Sequence, residues 1–596
     1  MYSIKNFRLK VDMHIINHQD QVMHIARVLS FVISLITIVS IIVYHGFYIS
    51  KNMVDVISQI IRFSLYFYIA KYFLQLFYSL KWGNYIKKTR FEFIIIALLI
   101  LHFIPVSFLP ESDNVETIRQ YYLLFIQFYF LIIVSIELTR GNNILLKLNL
   151  PPPKLMMFSF LLLISLGTLL LMLPRMTTYP ISFIDALFTA TSASCITGLT
   201  VLDVGQTFTL KGQIIILALI QLGGMSILTF ATFFTVLFSK SNAGLRYQHL
   251  VKDILSTNKL SDSYFLLKNI GIATIIIEVL GSGLLYIYWT NSGAFASHSE
   301  TLFHSVFHAV SAFNNAGITL WGNNMMHENF LAGYFPQTII MVLVIIGGLG
   351  FMTLSDLFDP RNIKERRKYR WKKLLPGTKI VLITTTFIAI IGTVLFLLVE
   401  SEYSLLLQGS FFDKLFASFF QITTARTAGF NTLNVAYISV PGMLLLMLGM
   451  FIGASPGSTG GGIKTTTFYV IIKSVIATIR GKKHIEFEKK FIPFEIVDKA
   501  YSIVIMSLMM IFASTFVLSI IEPEFDLLTH LFESVSAFST TGLSTGKISQ
   551  YAWDGKLILI LNMYIGRIGT LTLAYALSRR IKESMHQYPE TYFMVG

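Results

Sequence analysis

Charge is what this chain of 596 residues has least of. Asp, Glu, Lys and Arg together make up 13% of it, where a soluble domain carries roughly 25%. Cysteine is almost missing as well: Cys195 stands alone, which excludes an internal disulfide framework and a cysteine zinc cluster. With 54% hydrophobic residues and a mean hydropathy of +0.66, too few polar residues remain to coat a water-soluble core. Soluble enzymes, secreted scaffolds and disordered chains are therefore excluded, and a polytopic membrane protein remains. Acids are the scarcer sign, 32 against 47 bases, for a net charge of +15. No nucleic-acid partner is expected from that excess, because the bases lie in short strips between apolar runs and no soluble basic domain exists to carry them.

A helical span needs about 20 mostly apolar residues. Residues 1–150 hold four such stretches, near 26–49, 53–80, 90–110 and 117–139. Residues 1–25 mix Lys, Asp, His and Asn and precede no small-residue cleavage site, so a cleavable signal is not expected. Lys81, Lys87, Lys88 and Arg90 place the loop after the second span inside, while Glu111, Asp113 and Glu116 place the next loop outside. The chain returns to the inner side near Arg140 and Lys147. Further inner strips are Arg361, Lys364, Arg366, Arg367, Lys368, Arg370, Lys372 and Lys373, then Arg480, Lys482, Lys483, Lys489, Lys490 and Lys499, and finally Arg579, Arg580 and Lys582. Both termini are expected on the cytoplasmic side of a bacterial-type plasma membrane.

Four segments superimpose around a glycine: Phe188 to Leu199, Phe307 to Ile318, Phe419 to Phe430 and Phe532 to Leu543. In this alignment a Phe stands ten residues before Gly198, Gly317, Gly429 and Gly542, and Ser or Thr (Ser192, Ser311, Thr423, Ser536) six before. The glycines are 119, 112 and 113 residues apart, so the register marks an internal repeat. In each unit an apolar span comes first (about 156–174, 268–289, 379–399, 501–521). The motif stretch follows, and then a second apolar span (about 212–238, 337–357, 441–472, 556–578). The motif stretch is too polar and too short to cross lipid, and the charge bias needs both flanking spans. It is expected to enter and leave from the outside, around a cavity on a pseudo-four-fold axis.

A monovalent cation crosses where a ring of carbonyl oxygens replaces its water shell. Such backbone needs φ > 0 and no Cβ in the way, which Gly supplies. The predicted filter residues are Ile196, Thr197, Gly198 and Leu199; Asn315, Ala316, Gly317 and Ile318; Thr427, Ala428, Gly429 and Phe430; and Thr540, Thr541, Gly542 and Leu543. The Thr hydroxyls add oxygen ligands or brace the loop, and the negative C-terminal end of each short helix faces the cation.

At these motifs the chain resembles the Trk/Ktr/HKT superfamily of potassium transporters, of the TrkH/KtrB membrane-subunit type, over about residues 150–590. The resemblance implies K⁺ uptake, since one Gly in each loop goes with K⁺ preference in that superfamily and Ser at the first position with sodium conduction. It implies an intramembrane gating loop in the third repeat, here Gly453, Ser455, Pro456, Gly457, Gly460, Gly461, Gly462 and Lys464, and a pore arginine, here Arg567. It implies a homodimer and a separate cytoplasmic nucleotide-binding regulatory subunit docked on the basic inner loops, with membrane lipid around the chain. No organic cofactor is expected, and K⁺ itself is the transported ion. Independently, glycines and a Pro at 453–464 cannot continue a helix, and Ser455, Ser458 and Thr459 can serve the freed backbone groups. Arg567 inside an apolar run is a functional candidate, or a structural one bonded to helix ends through the mid-span Glu278, and the two readings are compatible.

Several motifs do not carry chemistry. Gly453-Ala-Ser455-Pro456-Gly457 has the G-x-S-x-G pattern, but Pro456 lacks the N–H an oxyanion hole needs. Ile463 separates Gly462 from Lys464, so the P-loop signature is absent. His327-Glu328 has no second His at metalloprotease spacing. His304 and His308 are expected to pack, and Arg426 to brace the third loop or face the outer mouth. The fourth N-terminal span carries only Arg119 before Arg140, so charge-displacement voltage sensing is not expected. Pro151-Pro152-Pro153 reads as a stiff linker.

The expected fold is all-α integral membrane: four span–re-entrant pore loop–span repeats (151–245, 246–375, 376–495, 496–596) around a pseudo-four-fold pore, after a four-helix extension at 1–150. The chain is not expected to be an enzyme. A Na⁺- or H⁺-coupled symporter and a non-conducting sensor or receptor remain open.

Overall fold

The computed structural model describes residues 2–78, 151–225, 260–331, 333–369, 373–403, 409–482 and 484–577. The spans expected at 90–110 and 117–139, the later part of the first repeat's second span, Arg140, Lys147, Arg579, Arg580 and Lys582 lie outside them. Among the described residues six helices are long and apolar enough to cross a membrane, or eight if two bent pairs each form one span.

The first helix, Tyr2–Gly46, takes in the polar N-terminal stretch that the apolar pattern left outside the span. It packs against Lys51–Phe77 through buried polar side chains. Thr37 Oγ1 donates to Ser64 Oγ (2.8 Å) and Lys71 Nζ to Ser30 Oγ (2.9 Å), the kind of bond that holds helices together where lipid is as apolar as leucine. The C-terminal carbonyls of the first helix are capped from the repeats. Arg175 donates from its backbone N–H to Gly46 (3.0 Å) and from its guanidinium to Tyr44 (3.3 Å), and Lys211 donates to His45 (3.4 Å). Cations at a helix C-terminus are favourable, so this pair is anchored to the first repeat.

Each repeat runs long helix, short helix, second helix. The long helices are Pro152–Leu171, Leu260–Ser292, Pro376–Tyr403 and Phe494–Ile521. The triple proline does not form a linker: Pro152 and Pro153 occupy the first helical turn, where a missing N–H costs nothing. The short helices are Phe183–Cys195, His298–Phe313, Phe411–Ala425 and Leu527–Ser539. Three begin on a serine whose hydroxyl accepts from the backbone three residues on (Ser182, Ser297, Ser410) and the fourth on Asp526. At 13 to 16 residues they span about 20–24 Å, less than the roughly 30 Å of a bilayer's hydrocarbon.

The second helices differ from one another. In the first repeat the helix is described as Leu210–Gly224. In the third it is Val440–Phe451, then an extended loop, then Thr465–Ile479, as the glycine-rich run predicts. The second and fourth were expected to be continuous. Instead Tyr334–Leu349 turns by 101° into Phe351–Phe358, and Trp553–Ile568 turns by 91° into Thr570–Leu577. Gly350 (φ +85°) and Gly569 (φ +89°) make these corners, a conformation other residues resist.

Four apolar clusters join the repeats in a circle. One packs Leu219 and Ile220 of repeat 1 on Phe307 and Val310 of repeat 2, and another Ile340 and Val344 of repeat 2 on Phe420 and Phe430 of repeat 3. A third packs Leu446 and Met450 of repeat 3 on Phe532 and Phe538 of repeat 4, and the last Leu559 and Met563 of repeat 4 on Phe188 and Leu199 of repeat 1. The core therefore surrounds an axis instead of filling it.

Candidate functional site

The four loops meet. A Cβ placed on Gly198 would lie 2.5 Å from the carbonyl oxygen of Ala316; on Gly317, 2.4 Å from that of Ala428; on Gly429, 2.2 Å from that of Thr541; and on Gly542, 2.2 Å from that of Thr197. Each glycine thus faces the residue preceding the next glycine, and the fourth faces the first, which closes a ring in chain order. All four have positive φ, between +66° and +94°. Conformation and close approach both require glycine here.

The residue two before each glycine (Ile196, Asn315, Thr427, Thr540) is also left-handed, with φ from +51° to +65°. Asn accepts that region more readily than β-branched Ile or Thr, for which it costs about 1–2 kcal/mol. This strain is invisible to a sequence reading, since no glycine marks it. It turns the main chain out of each short helix into the ring, held by bonds from the residue before the glycine back to the serine: Thr197 N–H to Ser192 O (2.8 Å), Ala316 to Ser311 (2.8 Å) and Thr541 to Ser536 (2.9 Å). The Ser192 and Ser536 hydroxyls also accept from the N–H of Gly198 and Gly542, each at 3.1 Å. The third loop departs from the aligned register by one residue. Thr424, not Thr423, receives Ala428 (2.9 Å), and Phe420, not Phe419, is fully buried. The chain there reaches the ring with one residue fewer.

The carbonyl oxygens of Ile196, Thr197, Asn315, Ala316, Thr427, Ala428, Thr540 and Thr541 accept no hydrogen bond among the described residues, although all eight residues are buried. Buried carbonyls are nearly always paired, so eight unpaired ones on one ring call for a ligand. The hydroxyls of Thr197, Thr427, Thr540 and Thr541 are likewise without partners among the described residues. Oxygen-only ligands of this kind suit hard monovalent or divalent cations. Leu199, Ile318, Phe430 and Leu543 turn their side chains into the four apolar clusters, and Ile318 O accepts from Ser311 Oγ (2.7 Å). Asn324, which the sequence did not single out, donates to the Gly429 carbonyl and accepts from the Asn431 N–H, each at 3.3 Å.

The glycine-rich loop lies directly against this ring. A Cβ on Gly460 would lie 2.2 Å from Thr427 Oγ1, and one on Gly461 2.1 Å from Thr540 Oγ1; one on Gly453 would meet Thr427 Cγ2 at 3.0 Å. The strands of the loop pair with each other at Ile452 and Ile463. Repeat 2 holds the loop from the side: the Ser455 N–H donates to Gly348 O (3.0 Å), and the Phe351 N–H, at the Gly350 corner, donates to Gly457 O (3.0 Å). Pro456 O packs against the Cα of Gly350 where a Cβ would come within 2.5 Å. Thr459 Oγ1 serves repeat 2, donating toward Phe313 O (3.3 Å) and Gly347 O (3.2 Å), while Ser458 Oγ bonds Ser455 O within the loop (2.6 Å). Lys464 Nζ folds back onto Gly460 O (2.8 Å) and Gly461 O (3.4 Å), and Gly462 (φ +66°) makes the return turn.

Arg567 reaches two repeats at once. It donates to the Thr459 carbonyl in the loop, and to Gly223 O (2.5 Å) and Gly224 O (3.5 Å) at the end of the first repeat's second helix. It does not pair with Glu278. That carboxylate instead receives Gln221 Nε2 (3.3 Å) and Asn314 Nδ2 (3.1 Å). Arg426 faces neither the outer mouth nor its own loop. Its guanidinium donates to Gly453 O, where the second helix breaks, and to Thr385 Oγ1 of the long helix, both at 3.4 Å. His304 and His308 pack as expected: they stack on each other, and Trp321 lies between His308 (4.3 Å) and His327 (5.0 Å). No group of three His, Cys, Asp or Glu suited to a metal ion occurs among the described residues.

A second set of glycines was missed. Gly223, Gly347 and Gly566 of the second helices face the carbonyls of Ser194, Phe313 and Phe538, each four residues before a ring glycine, where a Cβ would come within 1.8–2.1 Å. Their common contact with the short-helix ends is a repeat signal that only the assembled fold brings out.

The TrkH family, described as a cation transport protein, matches residues 126–588. The Ktr system potassium uptake protein B of Bacillus subtilis (strain 168) is 38% identical over 463 residues, 77% of this chain and 99% of its own. The protein of that name from Vibrio alginolyticus is 36% identical over 74% of this chain and 95% of its own. The crystal structure of the potassium transporter TrkH from Vibrio parahaemolyticus shares the fold, with a TM-score of 0.57 at 18% identity over 83% of this chain and 97% of that one. The apolar spans and this kinship make the protein an integral component of the plasma membrane. The chain belongs to the TrkH family of cation transport proteins.

Proposed function

We propose that the chain takes up K⁺ across the plasma membrane, with the ring of Gly198, Gly317, Gly429 and Gly542 as its selectivity filter. One observation carries the reading: eight buried, unpaired carbonyls stand at the approach to four glycines that close on one another. Oxygens so placed replace an ion's hydration shell. The relatives named as potassium uptake proteins match over nearly their whole lengths and support K⁺ as the cargo. Residues 453–464 act as the gate. The loop abuts Thr427 and Thr540 just beneath the ring, and Arg567 latches it through Thr459 while placing a positive charge on the inner side of the ion path. Opening then means withdrawing the loop and its arginine together.

The remaining features follow the same reading. The repeats divide at about 245, 375 and 495, and both termini lie in the cytoplasm. Pro360–Lys368, an exposed helix with Arg361, Lys364, Arg367 and Lys368, supports an inner docking surface for a separate nucleotide-binding regulatory subunit, and the membrane subunit works as a homodimer. No catalytic constellation is invoked.

The test is ⁸⁶Rb⁺ uptake into vesicles holding the purified protein, with K⁺, Na⁺ and pH gradients imposed one at a time. Uptake set by the K⁺ gradient alone is the expected result. A requirement for a Na⁺ or H⁺ gradient would replace this reading by symport, and no flux under any gradient would replace it by a non-conducting sensor.

A further inference from the structure

Each short helix carries a buried polar side chain just behind its loop. In repeats 1, 2 and 4 this residue stands nine before the ring glycine: Thr189, His308 and Glu533. In repeat 3 the one-residue shortening puts Gln421 in the equivalent place. Their bonds differ in a patterned way. Glu533 Oε1 accepts from Ser544 Oγ (2.9 Å), from the Thr545 N–H (2.8 Å) and from Thr545 Oγ1 (2.7 Å). His308 reaches the same point in repeat 2. Its Nδ1–H donates to the His304 carbonyl (2.8 Å), which leaves Nε2 to accept from the Leu320 N–H (3.4 Å). Thr545 and Leu320 each stand three residues after a ring glycine. Thr189, by contrast, spends its hydroxyl on Asp185 O of its own helix (2.8 Å), and the Gln421 amide has no partner among the described residues. Repeats 2 and 4 face each other across the ring, because it closes in chain order.

We propose that Glu533, and His308 to a smaller degree, are positioning residues for ion selection. Each ties the outer end of its loop to the helix behind it, so the two diagonal loops hold their oxygens at a fixed spacing. K⁺ and Na⁺ differ in the oxygen spacing they require, so a loosened loop loses discrimination before it loses conduction. Three donors on one oxygen, against the single 3.4 Å bond to His308 Nε2, make the Glu533 brace the stronger. Glu533 Oε2 has no partner among the described residues, so a single oxygen sets the brace. An amide oxygen in its place would therefore keep most of it.

The proposal rests on reading the ring as a potassium filter, and the experiment separates the two. Full-length protein in vesicles is assayed for the ratio of ⁸⁶Rb⁺ to ²²Na⁺ uptake. Glu533→Leu is expected to lower that ratio about tenfold and His308→Leu about threefold, with Glu533→Gln within about twofold of the parent chain. Glu400→Leu is the control. Its carboxylate caps Ser439 (2.6 Å) at the start of the third repeat's second helix, so its loss should lower thermal stability and leave the ratio alone. Where Glu533→Leu does not assemble, Ser544→Ala with Thr545→Val removes two of the three donors and should shift the ratio in the same direction. An unchanged ratio in these variants beside a shifted one in Gly198→Ser overturns the brace and leaves the filter standing. An unchanged ratio in Gly198→Ser as well overturns both. A Glu533→Gln ratio as low as that of Glu533→Leu also overturns the acceptor role.

Discussion

The loops and the second helices beneath them are built on opposite plans. Around the ring the four repeats share one backbone path: a left-handed residue two before the glycine, a positive-φ glycine and a contact with the neighbouring loop. Below it the described second helices are not alike. Those of repeats 2 and 4 turn sharply at Gly350 and Gly569, and that of repeat 3 opens into the loop between Phe451 and Thr465. Backbone conformation is held alike in the ring, although the residues there differ, and is allowed to vary beneath it. Coordinating a near-spherical ion favours equal oxygens on all sides, whereas a gate needs one part able to move against the others.

The largest effect that could break this contrast is a side chain in the ring. Gly198→Ser forces a Cβ against Ala316 O and a strained φ, and the ratio of ⁸⁶Rb⁺ to ²²Na⁺ uptake should fall roughly ten- to hundredfold. Gly317→Ser, Gly429→Ser and Gly542→Ser should do the same within a few fold. A ring position that tolerates serine would show the symmetry to be cosmetic.

Next comes the gate. Deleting Ser455–Gly461 should raise K⁺ flux several-fold while the ion ratio stays near that of the parent chain. Unchanged or lower flux would remove the loop from the ion path. Arg567→Gln should raise flux in the same direction but less, since Lys464 and the repeat 2 contacts still hold the loop.

The two corners sharpen the contrast further. Gly350→Ala meets Pro456 O of the gate loop, whereas a Cβ on Gly569 has only Thr572 Oγ1 at 3.8 Å. Both place a Cβ on backbone with positive φ and ψ near +140°, which side chains resist at a cost of about 1–3 kcal/mol. Only Gly350→Ala should also alter flux, and equal flux changes in the two variants would deny that repeat 2 holds the gate. The smallest effect is that of the hydroxyls under the ring: Ser192→Ala and Ser536→Ala should each lower stability by about 1 kcal/mol in thermal melts, without abolishing transport.

What could be read from the sequence follows the same division. The meeting of the four glycines was legible because their motif recurs at near-constant intervals. The break at 453–464 was legible because glycines and a proline crowd into an apolar span beyond what a helix can absorb. The corners at Gly350 and Gly569 were not, since a lone glycine in an apolar helix costs only about 1 kcal/mol and does not announce a bend. The shortened third loop was hidden by Phe419-Phe420 and Thr423-Thr424, which satisfy the alignment in either register. Glu278 suggested itself for Arg567 by charge alone, but the guanidinium bonds carbonyls at a helix end and in the glycine-rich loop. Asn324 and the left-handed Ile196 and Thr540 carry no local signature at all.

The ring's occupancy is the most direct test. Crystals of the full chain grown in Rb⁺ and measured at the rubidium edge should show anomalous density on the axis, about 3 Å from the carbonyl oxygens of Thr197, Ala316, Ala428 and Thr541. Absence of any axial peak at saturating Rb⁺, with those carbonyls bonded to protein or water instead, would contradict the account.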